Sequence, residues 1–185
     1  MNRVLSISLW VGATLLLAAA VHAATLYALP NIVMRTAIAR IGAPNTIHHV
    51  KRADATSRGV VRPSPDLLYS ICPFDLSDGP LRVSAPVPAD TYWSVSAFDG
   101  QTNNFFVKND KQISGKTDFI LAGPGTDMKT LPANVVHVQS PTMSGLVLFR
   151  TLIFSERDFA RIDTQRRQAT CAPMRARPPE PNNGG

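Results

Sequence analysis

Tyr92-Trp93-Ser94-Val95-Ser96-Ala97-Phe98 decides how the rest of this chain is read. Trp93, Val95 and Ala97 fall on one side of an extended backbone, and Tyr92, Ser94, Ser96 and Phe98 on the other. Period-two alternation of this kind marks a strand with one face in a core. Working outward, similar short apolar runs occupy residues 67–74, 81–85, 104–108, 117–122, 135–139 and 145–154. Turn signals separate them: Ser77-Asp78-Gly79-Pro80, Pro86 and Pro88, Asp110-Lys111, Gly123-Pro124-Gly125 and Ser140-Pro141. Seven strands at this spacing predict a mainly β domain, a β-sandwich of jelly-roll-like character. Residues 155–168 then predict a helix, with Ser155 as its cap, Glu156 and Asp158 in its first turn and Arg166 and Arg167 in its last. Phe159, Ile162 and Ala169 are its inward-facing candidates.

The amino-terminal end is of another kind. Val4 to Met34 contains no Asp, Glu, Lys or Arg. Some 20 such residues span the roughly 30 Å hydrocarbon layer as a helix. Two readings follow. Residues 1–29 form an uncleaved transmembrane anchor, or they form a signal segment with Val21-His22-Ala23 at its cleavage site. The long apolar run favours the anchor. Pro30 predicts the end of the straight helix, and residues 31–41 a short amphipathic helix near the membrane surface. Gly42-Ala43-Pro44-Asn45 ends that helix, and residues 45–66 read as an extended linker. The resulting division is 1–29 anchor or signal, 30–61 membrane-proximal helix and linker, 62–170 β-sandwich, and 171–185 a Pro- and Asn-rich disordered tail.

The 185 residues carry a net charge of +6, unevenly placed. Residues 35–62 carry +5, residues 63–149 carry −3 and residues 150–185 carry +3. Basic groups beside an apolar segment suit anionic headgroups. No basic stripe interleaved with stacking aromatics occurs, so nucleic acid is not an expected partner. The positive-inside count is close to a tie. A short tail before a single signal-like helix nevertheless predicts a single-pass protein of a bacterial inner membrane, its domain facing the periplasm. Cys72 and Cys171 would close a long loop in such an oxidising compartment. A buried thiol and a separate tail thiol is an equal reading.

Recognised catalytic motifs are missing. Ser114-Gly115-Lys116-Thr117 resembles half a phosphate-binding loop, but Asp110 stands where the first glycine is needed. His48-His49 is an adjacent pair read as loop, and His137 a polar histidine on a strand. No metal site and no cofactor is expected. Arg150, within Leu146-Val147-Leu148-Phe149-Arg150-Thr151-Leu152, reads as apolar on both faces. Its guanidinium then needs several carbonyls or a carboxylate, with Asp66, Asp75 and Asp99 as candidates, and is a strut holding the sheets or a clamp for a ligand carboxylate or phosphate.

Arg62-Pro63-Ser64-Pro65-Asp66-Leu67-Leu68-Tyr69-Ser70 and Phe74-Asp75-Leu76-Ser77-Asp78-Gly79-Pro80 resemble the family called domain of unknown function 1254. So, in order, do Tyr92-Trp93-Ser94-Val95-Ser96-Ala97-Phe98-Asp99, Thr102-Asn103-Asn104-Phe105, Gly123-Pro124-Gly125, Ser140-Pro141-Thr142 and Arg150-Thr151-Leu152. These motifs cover residues 62–152, about half the chain. The family commonly shows Asn-Arg-Asp-Thr-Leu-Tyr where this chain has Ser64-Pro65-Asp66-Leu67-Leu68-Tyr69, so its Arg has no counterpart. Longer members carry a second β-domain, for which this chain is too short. The resemblance is to the short, membrane-anchored subgroup, and it implies a β-sandwich-like fold with no agreed activity. Strand-end position and this match together predict that Asp66, Tyr69, Tyr92, Asp99, Asn103 and Arg150 converge at one mouth of the sandwich as a ligand-binding site. The expected function is an envelope protein that binds a small molecule or a protein partner. A small hydrolase using Asp99 and Tyr69 as acid and base and a structural subunit of an envelope complex are the alternatives.

Overall fold

The computed structural model describes residues 2–54, 56–57 and 63–174. A single helix, α1 (Arg3–Ile41), precedes β1 (His48–His49), β2 (Leu67–Asp75), β3 (Leu81–Val87), β4 (Trp93–Asp99), β5 (Asn104–Asn109) and β6 (Gly115–Ala122). A 3-10 turn at Met128–Thr130 leads to β7 (Val136–Gln139) and β8 (Ser144–Leu152), then α2 (Glu156–Arg166) and β9 (Thr170–Pro173). One sheet runs β1-β2-β8-β4-β5, the other β7-β6-β3-β9. Within the described residues all pairs are antiparallel except β6 with β7.

The core lies between the sheets. Trp93, Val95 and Ala97 of β4 and Val147 and Phe149 of β8 meet Val83, Phe119 and Leu121 of the second sheet. The Trp93 and Phe149 rings sit 6.1 Å apart. Gly145 has no room for a side chain: a Cβ there would stand 2.1 Å from the Phe98 carbonyl. Cys72 of β2 and Cys171 of β9 are joined by a disulfide that ties one sheet to the other. A second, smaller cluster of Leu68, Ile153 and Ile162, with Phe159 against it, seats α2.

Four expectations are corrected here. Pro30 does not end a helix; α1 continues through it to Ile41. Proline removes one backbone donor, a loss long apolar helices tolerate, and Asn31 Nδ2 donates to the Tyr27 carbonyl at 3.4 Å in the same turn. His48-His49 is not loop but an edge strand on β2. Residues 171–173 are not tail, because they pair with β3. The remainder of the expected disordered tail, residues 175–185, and Arg62 of the quoted motif lie outside the described residues. Ser155 stands at the N-cap of α2, but its hydroxyl bonds the Asp158 carboxylate at 2.7 Å rather than a backbone N–H.

The joint between α1 and the sandwich is specific. Gly42 leaves the helix at φ +134°, a conformation that favours glycine, and a Cβ there would meet the His48 ring at 2.6 Å. Asn45 then makes three bonds to the end of β2. Its N–H donates to the Pro73 carbonyl at 2.7 Å, its Nδ2 to the Asp75 carbonyl at 2.8 Å, and its Oδ1 accepts from the Asp75 N–H at 2.8 Å. Pro73 is admitted into β2 because β1 has ended beside it, so no partner strand needs its missing donor. Met34 is the buried residue of α1. The apolar residues before it are exposed, Trp10 at 74% and Tyr27 at 82%.

Candidate functional site

The expected site does not assemble as one. β4 and β8 pair from Trp93 opposite Thr151 to Asp99 opposite Gly145. Arg150 is therefore five residues along β8 from the partner of Asp99, roughly 16 Å at 3.3 Å per residue. Asp66, Tyr69, Tyr92 and Arg150 belong to one end of this sheet, and Asp99 and Asn103 to the other. Asp66 is exposed and precedes β2, and Tyr92 is 42% exposed. Asp99 is buried, and its carboxylate is consumed locally. Oδ1 accepts from the Gln101 and Asn103 N–H groups at 2.8 Å each, and Oδ2 from Asn103 Nδ2 at 3.1 Å. That is turn chemistry around Thr102, which has φ +68°. An acid–base pair of Asp99 with Tyr69 is not formed.

Arg150 is not the buried strut either. β8 alternates strictly, with Gly145, Val147, Phe149 and Thr151 inside and Leu146, Leu148, Arg150 and Leu152 on the outer face. Arg150 is partly exposed there, and among the described residues no carboxylate pairs with it. Its Nη2 donates to Ser96 Oγ at 2.9 Å, while its Nε has no partner. Ser94, opposite it in register, is 2% exposed with an unpartnered Oγ. Asp66, Asp75 and Asp99 do not pair with Arg150.

The arginine that is buried is Arg166, in the last turn of α2. Its Nε donates to Asp163 Oδ1 at 2.7 Å, Nη1 to the Tyr69 carbonyl at 2.6 Å and Nη2 to the Val50 carbonyl at 3.0 Å. It thus clamps α2 to both β1-side segments of the first sheet. Asp163 also accepts from Arg167 Nε at 2.8 Å. Burial alone would raise the Asp163 carboxyl, but the two guanidiniums outweigh it and hold its pKa below the ordinary range. His49 beside them bonds Ser70 Oγ through Nδ1 at 2.8 Å. Burial, then the charges of Arg166 and Arg167, hold its imidazole below the usual value of 6.5.

Against the outer face of the first sheet lies a groove of about 860 Å³. Its floor is Tyr69 and Ile71 of β2 with Leu146 and Leu148 of β8; its wall is Ala37, Arg40 and Ile41 of α1. Ile47, His48, His49, Val50, Pro63 and Arg167 complete the rim. His48 donates Nε2–H to the Ala43 carbonyl at 2.9 Å, which fixes its ring beside Gly42. Tyr69 thus belongs to the groove and is the register neighbour of Arg150, whereas the other expected residues line no part of it. A smaller hollow of about 400 Å³ lies over Ser84, Lys116 and Gln168. Among the described residues no group of three or more His, Cys, Asp or Glu is placed to hold a metal. His137 donates Nε2–H to the Pro132 carbonyl at 2.9 Å, a satisfied polar histidine.

Sequence reasoning missed Arg166, the two histidines and, Tyr69 apart, the groove floor. The signal for the floor was present: Leu146 and Leu148 fall on the face that a solvated strand leaves polar.

The fold is similar to that of two proteins of known crystal structure. One, from Vibrio parahaemolyticus, aligns with a TM-score of 0.62 at 14% identity, over 85% of this chain and 40% of that one. The other, an uncharacterized protein from Burkholderia cenocepacia, aligns with a TM-score of 0.50 at 17% identity, over 84% of this chain and 42% of that one. The chain thus spans about two-fifths of their length, and the likeness is one of fold. No curated protein matches the sequence. The family model described as protein of unknown function DUF1254 matches residues 44–173, which runs from the joint after α1 to the end of β9. The chain belongs to that family.

Proposed function

We propose that this protein is a membrane-anchored β-sandwich module that binds a ligand or partner in the groove between the last turns of α1 and the outer face of the first sheet. The groove itself carries the reading. A concave, mostly apolar site with a few polar groups on its rim, at a junction between elements, is the usual form of a small-molecule site. α1 is long and apolar enough to cross a membrane, and the sandwich hangs from its end. A disulfide such as Cys72–Cys171 persists in an oxidising compartment, the bacterial periplasm among them. That supports a single-pass inner-membrane protein with its sandwich outside the cytoplasm. Asp99, the acid once paired with Tyr69 in the catalytic alternative, is committed to its turn, so binding is favoured over hydrolysis.

Native mass spectrometry of the full chain, released gently from detergent, tests the reading beside the Ala37→Trp variant. Ala37 lies on the groove wall and is not part of the sandwich core. We expect a retained molecule that Ala37→Trp loses with its thermal unfolding unchanged. A bare protein, or retention that the variant does not alter, would end this reading.

A further inference from the structure

The groove beneath α1 has a chemistry that narrows its occupant. On the same outer face, β4 places Ser94, Ser96 and Phe98, and β2 and β8 place Ile71, Leu146 and Leu148 in the groove. The end of α1 thus overhangs an apolar strip of this face. The rim is cationic. Its two guanidiniums are Arg40 and Arg167, and among the described residues no Asp or Glu lines it. Asp163, the partner of Arg167, is shared with Arg166, one anion for two cations. A volume of about 860 Å³ lies within the roughly 300–1,000 Å³ of single-ligand sites. Finally, the wall of the groove is the continuation of the apolar helix. Ala37 is eight residues beyond Leu29, the end of the apolar run, about 12 Å along α1.

We infer that the groove takes a single-chain acidic amphiphile, a long-chain carboxylate drawn from the lipid layer that α1 enters. The chain lies on Ile71, Leu146 and Leu148, and the carboxylate meets the guanidinium side of the rim. This deepens the binding function proposed above and rests on it. An apolar tail accounts for the floor, an anionic head accounts for the two rim arginines, and the bilayer source accounts for the position of the groove against α1.

The test uses the full chain in lipid nanodiscs and palmitate carrying a diazirine near its chain terminus. After irradiation, we expect label on peptides holding Ile71 or Leu146 and Leu148, reduced by unlabelled palmitate. Arg40→Gln should weaken this competition roughly tenfold, the worth of a charge-assisted hydrogen bond. Ala37→Trp should abolish the groove label. Leu148→Gln, a surface change outside the core, serves as a second blocking variant should Ala37→Trp unfold. Equal groove labelling by the matching neutral hexadecanol probe would overturn the acidic head. Stronger labelling by a two-chain phosphatidylglycerol probe would overturn the single chain. Label confined to residues 4–29 would overturn the inference altogether. Should the groove stay unlabelled while native mass spectrometry finds a different retained molecule, the ligand class is wrong and the binding function stands. No label and no retained molecule would remove both.

Discussion

Along β8, Val147 and Phe149 point into the sandwich, while Leu146 and Leu148, their neighbours in sequence, point away from it. The inward pair is sealed by a second sheet, by the tilted contact of Trp93 with Phe149 and by the Cys72–Cys171 link. The outward pair lies beneath the end of α1, with a groove between. Both faces are apolar. One is apolar because the fold is built on it, the other without a structural need that the sandwich itself supplies. An apolar face left half-covered beside a cationic rim is where a binding role is to be sought.

The largest test of that contrast removes the link across the inner side. Replacing Cys72 and Cys171 together by Ser should cost about 4–5 kcal/mol, the chain-entropy value for a loop near 100 residues; the separation here is 99. Urea unfolding with and without reductant measures it, and a loss under about 1 kcal/mol would mean that packing alone holds the sheets. Next, Phe149→Ala should cost about 3–5 kcal/mol, while Leu148→Ala costs about 1 kcal/mol or less. Equal losses would erase the distinction between the faces. The two arginines sharpen it further. Arg166→Gln should cost about 3 kcal/mol, since two carbonyls and Asp163 lose their donor. Arg150→Gln forfeits one bond to Ser96, about 1 kcal/mol or less, and should leave the unfolding midpoint nearly unmoved.

The smallest effect is in pH. Because His49 titrates below 6.5 when folded, the unfolded chain binds more protons there than the folded one. Stability should therefore be fully present above about 6.5 and fall as the pH drops through that value toward the folded pKa. His49→Gln, able to keep a bond to Ser70, should flatten this slope in unfolding midpoints measured from neutral to mildly acidic pH. An unchanged slope would mean that the His49 imidazole does not carry it.

The strands were legible because alternation and turn residues are local. Tyr92 to Phe98 announced β4, and Ser77-Asp78-Gly79-Pro80 the turn after β2. β1 and β9 were not legible, because two or four residues carry too little pattern and exist as strands only by pairing with β2 and β3. Pro30 misled because its usual effect on a helix is read from soluble proteins. At the candidate site, Arg150 drew notice for sitting in an apolar run, but sequence cannot tell one buried face from two. Arg166 looked like a helix-end charge. Its burial depends on β1 and β2 presenting the carbonyls of Val50 and Tyr69, a tertiary fact without a local signature. Tyr69 alone, of the six residues expected to converge, lines the groove.

The unbroken passage of α1 through Pro30 has a mechanical meaning. Whatever surface holds its apolar end, the sandwich is geared to that surface, because Gly42, Asn45 and Met34 fasten it to the same rod. In such a rod each residue sets an azimuth of about 100° and a height of about 1.5 Å. One residue inserted between Pro30 and Met34 would swing the groove by more than a quarter-turn while scarcely raising it. The length of this segment is thus a compass setting, and it fixes which way the mouth of the groove looks.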